Sequence, residues 1–442
     1  MADLAEAERF LERYPDVAAI DLVLVDAHGI GRGKIIRRHE LIGLFRDGRG
    51  MPDTLFAQDV AGDDVAEALP LFEAGGGDCR CFPVPGTLGF VPSTGRGVVL
   101  VMMRDPQGMP HHSDPRAAMM RQIERAVSAG FHPMGAMELE FYLLDADDHG
   151  SAKAPLTGRR SVTTGTMSVD ELDEMSPFFD AVYAGAEALN LPLETLISEY
   201  ARGQFELTLR YRPLDRAADD IVLAKRLIRA TARRFEMEAC FMAKPFGAMS
   251  GSGMHLHLSL ADQEGRNLFA DQMDGSPSPL MLWAIGGIRT QIRDAMLIIA
   301  PFLNSWRRFS SAIYSPAGNT WGREDRNVAI RVPQGAPETR HFEQRLAGVD
   351  ANPYLLAAVT LGAALDGIEA QQDAGAEGQA GDMPPLPASW GEAIAAFQSS
   401  EAMRKTLGPE LHSGLAAIKA AEFDRLAKEV SDVEWRYYGF TV

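Results

Sequence analysis

Two short stretches of the chain alternate charged and apolar side chains with the period of a β-strand: Glu138-Leu-Glu140 and His255-Leu-His257-Leu-Ser259. Successive strand residues point to opposite faces, so each stretch turns its polar groups one way and its leucines the other. Glu343-Gln-Arg345 repeats the arrangement, and Glu199 and Glu206 bracket the loop Tyr-Ala-Arg-Gly-Gln-Phe. Carboxylates converging on one interior repel one another unless compensated. Hard divalent cations are the natural compensation, and oxygen-dominated ligands with one imidazole suit Mg²⁺ or Mn²⁺. Any one of these patterns alone also fits a solvated strand face or a structural histidine.

The surrounding punctuation divides the chain. Ile20-Asp-Leu-Val-Leu-Val-Asp26 reads as a strand, followed by a glycine-rich turn, and strand-like runs recur at Arg80 to Val84 and Val98 to Met103. The first hundred residues therefore read as a small strand-rich domain rather than a helical one. Asp105-Pro-Gln-Gly breaks the pattern, and Asp114-Pro-Arg sets an N-cap and an N1 proline before a helix to about Ala129. The expected division is 1–104 and 105–442. In the second part strand-like pieces (137–144, 205–209, 255–260, 328–332, 341–346) alternate with amphipathic helical runs near 178–190, 215–235, 279–299 and 351–369. That mixture predicts an α/β or α+β catalytic domain. Residues 369–389, rich in Ala, Gly, Gln and Pro, read as a surface loop.

The string Phe241-Met-Ala-Lys-Pro-Phe-Gly-Ala-Met-Ser-Gly-Ser-Gly-Met-His-Leu-His-Leu-Ser-Leu260 resembles the signature of the glutamine synthetase superfamily. Further blocks similar to that family stand in order around it: Met137 to Phe141, Glu199 to Glu206, Asn304-Ser-Trp-Arg-Arg-Phe309, Arg326 to Pro333, and Glu343-Gln-Arg345 followed by Asp350-Ala-Asn-Pro-Tyr354. The resemblance implies an α+β fold: a small N-terminal β-grasp domain, then a larger domain whose antiparallel sheet lines a bifunnel-shaped site with helices flanking it. It also implies an ATP-dependent carbon–nitrogen ligase with two Mg²⁺ or Mn²⁺ ions. Glu140, Glu199 and Glu206 would hold one ion and Glu138, His255 and Glu343 the other. By the same match Arg326 and Arg331 face the phosphates, with Glu194, His257 and Ser259 on the nucleotide. Arg308 and Arg345 hold the glutamate carboxylates near Gly251. Arg326, Arg308 and Glu206 form the catalytic set. The family assembles as a homo-oligomer, usually a dodecamer of two stacked hexamers, with sites shared between subunits.

Departures from the ammonia-using pattern narrow the activity. Tyr314 stands where those enzymes carry a flap glutamate, and a neutral phenol cannot attract and deprotonate ammonium but can line a pocket for a larger amine. Ser250 replaces an asparagine, Ala347-Gly-Val-Asp-Ala replaces a proline- and aspartate-bearing segment, and Leu55-Phe-Ala-Gln-Asp59 replaces Phe-Asp-Gly-Ser-Ser. These features resemble the γ-glutamylpolyamine and γ-glutamylmethylamide synthetase branch. His341 stands where an arginine near ATP is usual, and Ile197-Ser198 where a His-His pair is common. The expected activity joins the γ-carboxyl of glutamate to an organic primary amine through γ-glutamyl phosphate. Two alternatives stay open here: an ammonia user with a site rebuilt from Asp59 or Asp63, and a catalytically silent homologue. Trp306, Tyr314 and Trp321 lean towards an apolar amine pocket.

Bulk composition excludes other partners. A net charge of −18 opposes unspecific binding to nucleic acid or an anionic bilayer, and no stretch nears ~18 consecutive apolar residues. The acidic N-terminus is unlike a secretory signal, so a cytoplasmic protein is expected. Cys79, Cys81 and Cys240 are too few for a disulfide framework and read as free thiols.

Overall fold

Strand β1 (Ala19–Val25) is buried on both faces, and its side chains divide between two cores. Ile20, Leu22 and Leu24 point into a small core with Phe10, Ile36, Leu41 and Phe45. Val23 and Val25 point the other way, into the main core of the chain. The strand is thus both the floor of the N-terminal unit and a wall against the rest. In this computed structural model residues 3–72, 77–145, 166–309, 316 and 318–442 are described.

Around β1 a mixed sheet forms from β2 (Gly31–Arg37), β3 (Arg49–Pro52), β4 (Asp78–Pro83), β5 (Gly89–Val91) and β6 (Arg96–Arg104), in the order β2-β1-β6-β4-β3 with β5 also on β6. The β1–β2 turn closes on Asp26, whose carboxylate accepts from the backbone N–H groups of His28 and Ile30, each at 2.9 Å, while Arg32 reaches it at 2.8 Å. Two helices, Leu4–Arg13 and Leu41–Asp47, cover this sheet. They amend the strand-rich expectation for this region. Leu4–Arg13 is strongly amphipathic, capped by Asp3, and packs Ala7, Phe10 and Leu11 on the small core. Cys79 and Cys81 lie buried in β4, neither of them in a disulfide.

The predicted cap at Asp114 is present. Its carboxylate accepts from Arg116 N–H at 2.9 Å and also from Met103 N–H at 3.0 Å, tying the helix Pro115–Ser128 to the end of β6. Beyond it lies the second sheet, built from β7 (His132–Asp145), β8 (Leu193–Ser198), β9 (Gln204–Leu209), β10 (Arg212–Pro213), β11 (Met237–Cys240), β12 (Leu256–Ala261), β13 (Trp321–Arg323), β14 (Ile330–Val332) and β15 (Phe342–Gln344). Its order is β13-β14-β15-β12-β7-β9-β8, with β10 and β11 also on β7; only β13 and β14 run parallel. The fold is therefore α+β. The apolar side of this sheet packs into the main core with the helices Leu214–Arg234, Pro279–Ile299 and Pro353–Ala370. Three helices are locked by one buried acid: Asp219 accepts two bonds from Arg116, both 2.9 Å, and one from Tyr354 Oη at 2.8 Å. No described helix is long and apolar enough to cross a membrane.

The helix Pro409–Leu426 latches the two units together. Buried Glu422 accepts from His28 Nε2 at 2.7 Å, Val60 N–H at 2.8 Å and Lys419 Nζ at 2.9 Å. Burial raises the Glu422 carboxyl, but the His28 hydrogen bond and the Lys419 charge overcome it and hold the pKa at about 2. The same burial pulls Lys419 and His28 down, so the triad contributes less than the Glu422 shift alone would suggest. Glu422→Gln leaves Lys419 buried without a counter-charge and is expected to lower unfolding stability by about 3 kcal/mol in urea titration at pH 7. Because the folded pKa is depressed from 4.5 to about 2, the Glu422 contribution is full above pH 4.5 and fades as pH falls towards 2. The variant should show less of that acid loss.

Candidate active site

Strand register brings the distant carboxylates together. Glu140 on β7 lies directly opposite Glu206 on β9, and Glu343 on β15 is flanked by His257 on β12 and Arg331 on β14. The intervening residues Leu139, Phe141, Phe205 and Leu207 point into the core. Like charges directly opposite in a sheet destabilise it, so this face is maintained by the packing of the other.

A cleft of ≈350 Å³ collects Glu138, Glu140, Glu199, Glu206, His255, Glu343, Gly251, Arg308, Arg326, Arg331 and Arg345. Within it His255 Nδ1 lies 2.6 Å from Glu138 Oε2 and 3.2 Å from Glu343 Oε1. The ligand atoms of this trio all fall within 4.8 Å of one another, the spacing of a metal site. Glu140, Glu199 and Glu206 share the cleft without closing to that spacing. Arg331 holds Glu343 at 3.0 Å, Arg345 pairs with the other Glu343 oxygen, and Gly253 N–H donates to Glu140 at 2.8 Å.

The two trios differ electrostatically. Burial raises Glu138 and Glu343, but nearby His257, His255 and, for Glu343, Arg345 hold both below the usual range. Glu140 is pushed up to about 8 by burial and then by the charge of Glu199. Glu206 is pushed up to about 10 by burial and then by Glu138 and Glu140. Glu199 is raised by burial and Glu138. The protein's own cations thus compensate one trio and leave the other short of positive charge. A hard divalent cation fits each set: oxygen ligands with one imidazole for the first, oxygen alone for the second.

Gly251 and Gly253 in the 247–253 loop are explained by the same crowding, whereas Gly247 has open space around it. A Cβ on Gly253 would come within 2.7 Å of the Arg308 guanidinium and 3.0 Å of His255 Nε2. Arg308, buried, donates to the carbonyls of Leu346 at 2.9 Å and Arg345 at 3.2 Å. The loop is clamped by Asn304, which exchanges two 2.9 Å bonds with the Lys244 backbone, and by Tyr142 Oη on the Ser250 carbonyl at 2.7 Å.

Three expected site residues among those described are not in the cleft lining. His257 stands behind Glu138, at 2.9 Å, and passes the chain on to His341 at 3.0 Å. Ser259 follows on the same face of β12. Glu194 is partly exposed and paired with Arg210 at 2.9 Å. Tyr314 falls outside the described residues. The aromatic expectation needs correcting: Trp321 is buried in the core with its indole on the Gly375 carbonyl, and Trp306 donates to Ala300 and packs on Phe309. The apolar lining comes instead from Met167, Ile197, Tyr200 and Met249. Asp59 accepts from Arg425 at 2.6 Å and from its own turn, Asp63 lies 3.5 Å from Arg425, and neither borders this cleft. Sequence also missed Gln204, whose amide bonds the Gly251 carbonyl at 3.0 Å, and Glu171, which takes Ser198 Oγ and Gly203 N–H and so fixes the 199–203 turn. Gln204 lay inside a quoted block. Glu171 carried only a helix-cap signal, Ser168-x-x-Glu171.

Residues 112–438 match the family model "Glutamine synthetase, catalytic domain". The chain belongs to the glutamine synthetase family. Over 447 residues it is 34% identical to the γ-glutamylputrescine synthetase PuuA of Escherichia coli, covering 97% of this chain and 94% of that one. It is 30% identical over 446 residues to the glutamate–isopropylamine ligase of a Pseudomonas species, covering 97% and 96%. The solved GmaS/ADP complex superposes with a TM-score of 0.86 at 26% identity, covering 99% of both chains. The family thus contains relatives whose acceptors are organic amines as well as glutamine synthetases proper.

Glu206→Gln removes a carboxyl that the folded state holds protonated near neutrality. In EDTA the wild type should lose stability as pH rises from 4.5 towards 10, since the unfolded chain releases that proton and the folded chain keeps it. The variant is expected to melt about 2 °C or more above wild type at pH 8 in EDTA, and to gain less from added Mg²⁺. Calorimetry in both buffers measures it.

Proposed function

We propose that the chain is an ATP-dependent glutamate–amine ligase that makes γ-glutamyl amides of an organic primary amine. The observation that carries it is the pairing, in one cleft, of a carboxylate trio short of positive charge with Arg308, Arg326, Arg331 and Arg345. A carboxylate is a poor electrophile until one oxygen becomes a leaving group, and transfer of the γ-phosphoryl of ATP makes it one. Arg308 and Arg345 hold the carboxylates of glutamate beside Gly251. Arg326 and Arg331 face the transferring phosphoryl and stabilise the charge that develops on it. Glu194, His257 and Ser259 serve the nucleotide. Glu138, His255 and Glu343, and likewise Glu140, Glu199 and Glu206, would each hold a divalent ion, Mg²⁺ or Mn²⁺, which would supply fixed positive charge against the phosphates when bound. The unprotonated amine then attacks the γ-carbonyl carbon of γ-glutamyl phosphate, the carbon–oxygen bond to phosphate breaks, inorganic phosphate leaves, and the nitrogen gives up one proton to solvent.

The wall of Met167, Ile197, Tyr200 and Met249 supports an acceptor carrying carbon rather than ammonia. Tyr314 in place of an acidic flap supports the same choice. A first domain of residues 1–104, a second of 105–442 and a ring-shaped homo-oligomer, a dodecamer of two hexamers, complete the reading.

Phosphate release from ATP, with glutamate and Mg²⁺ or Mn²⁺, should be measured across ammonia, methylamine, isopropylamine, ethanolamine, putrescine and spermidine. At least one organic amine should exceed ammonia in kcat/KM by about tenfold or more; ammonia matching the best amine would reject the assignment. Arg326→Ala is expected to lower kcat by about 10²–10³ with the metal-dependent melting shift intact, because it removes charge stabilisation and no metal ligand.

A further inference from the structure

A second cavity, ≈990 Å³, lies between the N-terminal sheet and the helix Leu214–Arg234. Six cations line it: Arg96 from β6 and Lys225, Arg226, Arg229, Arg233 and Arg234 from the helix. Lys225, Arg229 and Arg233 are spaced by four residues and stand in one row, with Arg226 and Arg234 in the next. Like charges at that spacing destabilise a helix by a few tenths of a kcal/mol per pair. In a chain of net charge −18 such a concentration of positive charge runs against the overall composition.

The nearby acids do not balance it. Asp21 is shared by Arg96, at 2.9 Å, and Arg226. Glu238 lies 3.5 Å from Arg233, and Asp350, in the wall, takes Ser305 Oγ at 2.8 Å. Six cations thus face three carboxylates. Arg229 makes no ion pair among the described residues and lies over the Phe241 ring at 4.6 Å. Lys225 is buried; among the described residues its ammonium donates to the Val349 carbonyl at 2.5 Å, with Asp350 as the nearby carboxylate. Burial and then the charge of Arg229 pull the Lys225 pKa down to about 7. Arg229, Arg233 and Arg234 are exposed along the open side of this cavity, where an anion can reach them, while the buried Lys225 ammonium at its floor is the charge that gains most from one. Val222, Phe241 and Phe302 add an apolar wall.

We propose that this cavity binds a compact anion of two or more negative charges, a phosphate or polycarboxylate group, at a place separate from the glutamate and ATP cleft. The anion bridges Arg96 on the N-terminal sheet and the Lys225–Arg229–Arg233 row. The proposal is independent of the ligase assignment.

Hydrogen–deuterium exchange on the purified protein, in whatever assembly it forms, tests it, with inorganic pyrophosphate and citrate as probes. At least one probe should slow exchange in peptides covering 222–234 and 93–99 of the wild type and of Arg326→Ala. In the Arg229→Gln/Arg233→Gln variant the apparent Kd should rise about tenfold or more with ligase turnover unchanged, and Arg229→Lys/Arg233→Lys should retain binding. A response to pyrophosphate alone identifies a phosphate ligand, to citrate alone a polycarboxylate, and to both the shared chemistry. The proposal is overturned if neither probe protects these peptides. It is equally overturned if protection survives Arg229→Gln/Arg233→Gln but is lost in Arg326→Ala, or if the peptides are already protected without a probe because a second copy fills the cavity.

Discussion

Glu140 facing Glu206 across two hydrogen-bonded strands is an unfavourable pair, and much of the molecule is arranged to keep it. On the reverse of those strands Leu139, Phe141, Phe205 and Leu207 are buried in the main core. Burying a large apolar side chain contributes about 1.5–3 kcal/mol, so four of them outweigh the repulsion between a few carboxyls that burial has already shifted towards the neutral form. The strands cannot slip to relieve it. A shift of one residue would exchange the two faces and put the leucines and phenylalanines into the cleft.

Loops carry the rest of the site, and each is held by a specific contact. The turn bearing Glu199 is fixed from outside by Glu171 through Ser198 and Gly203. The Gly247–Gly253 loop is fixed by Asn304, Tyr142 and Gln204, and it packs so closely on Arg308 that side chains are excluded at Gly253. The arginines of the cleft are held in turn: Arg308 by two backbone carbonyls, Arg331 and Arg345 by Glu343. Glu343 is therefore committed to cations on two sides, which separates its behaviour from that of Glu206.

How much was legible depended on whether a feature was local. The alternation around Glu138 and His255, the Asp114 cap and the helices near 178–190, 215–235 and 279–299 express local backbone preferences and appear as read; the helix Pro353–Ala370 is present but buried nearly all round rather than amphipathic. The helix Leu4–Arg13 carried local signals too, the Asp3 cap and a strong amphipathic stripe, which the strand-rich expectation for this region left out. Trp306 and Trp321 misled, since an aromatic side chain fills a core as readily as it lines a pocket, and Trp321 does the former. Asp59 and Asp63 were open to a role in ammonium binding until Arg425, far along the chain, was seen to hold them.

By itself, then, the sequence determined the α+β class, the family, and the carboxylates, the one histidine and the arginines that meet in the cleft, because strand period, caps and ordered motifs are properties of neighbouring residues. Only the tertiary structure decided which carboxylates carry compensated charge and which do not. It also decided that Met167, Ile197, Tyr200 and Met249 form the apolar wall, and that six cations gather at the junction of the N-terminal sheet and a helix more than a hundred residues away. Charge compensation and cavity lining depend on distances between segments remote in the chain, and those distances are set by packing rather than by any local pattern.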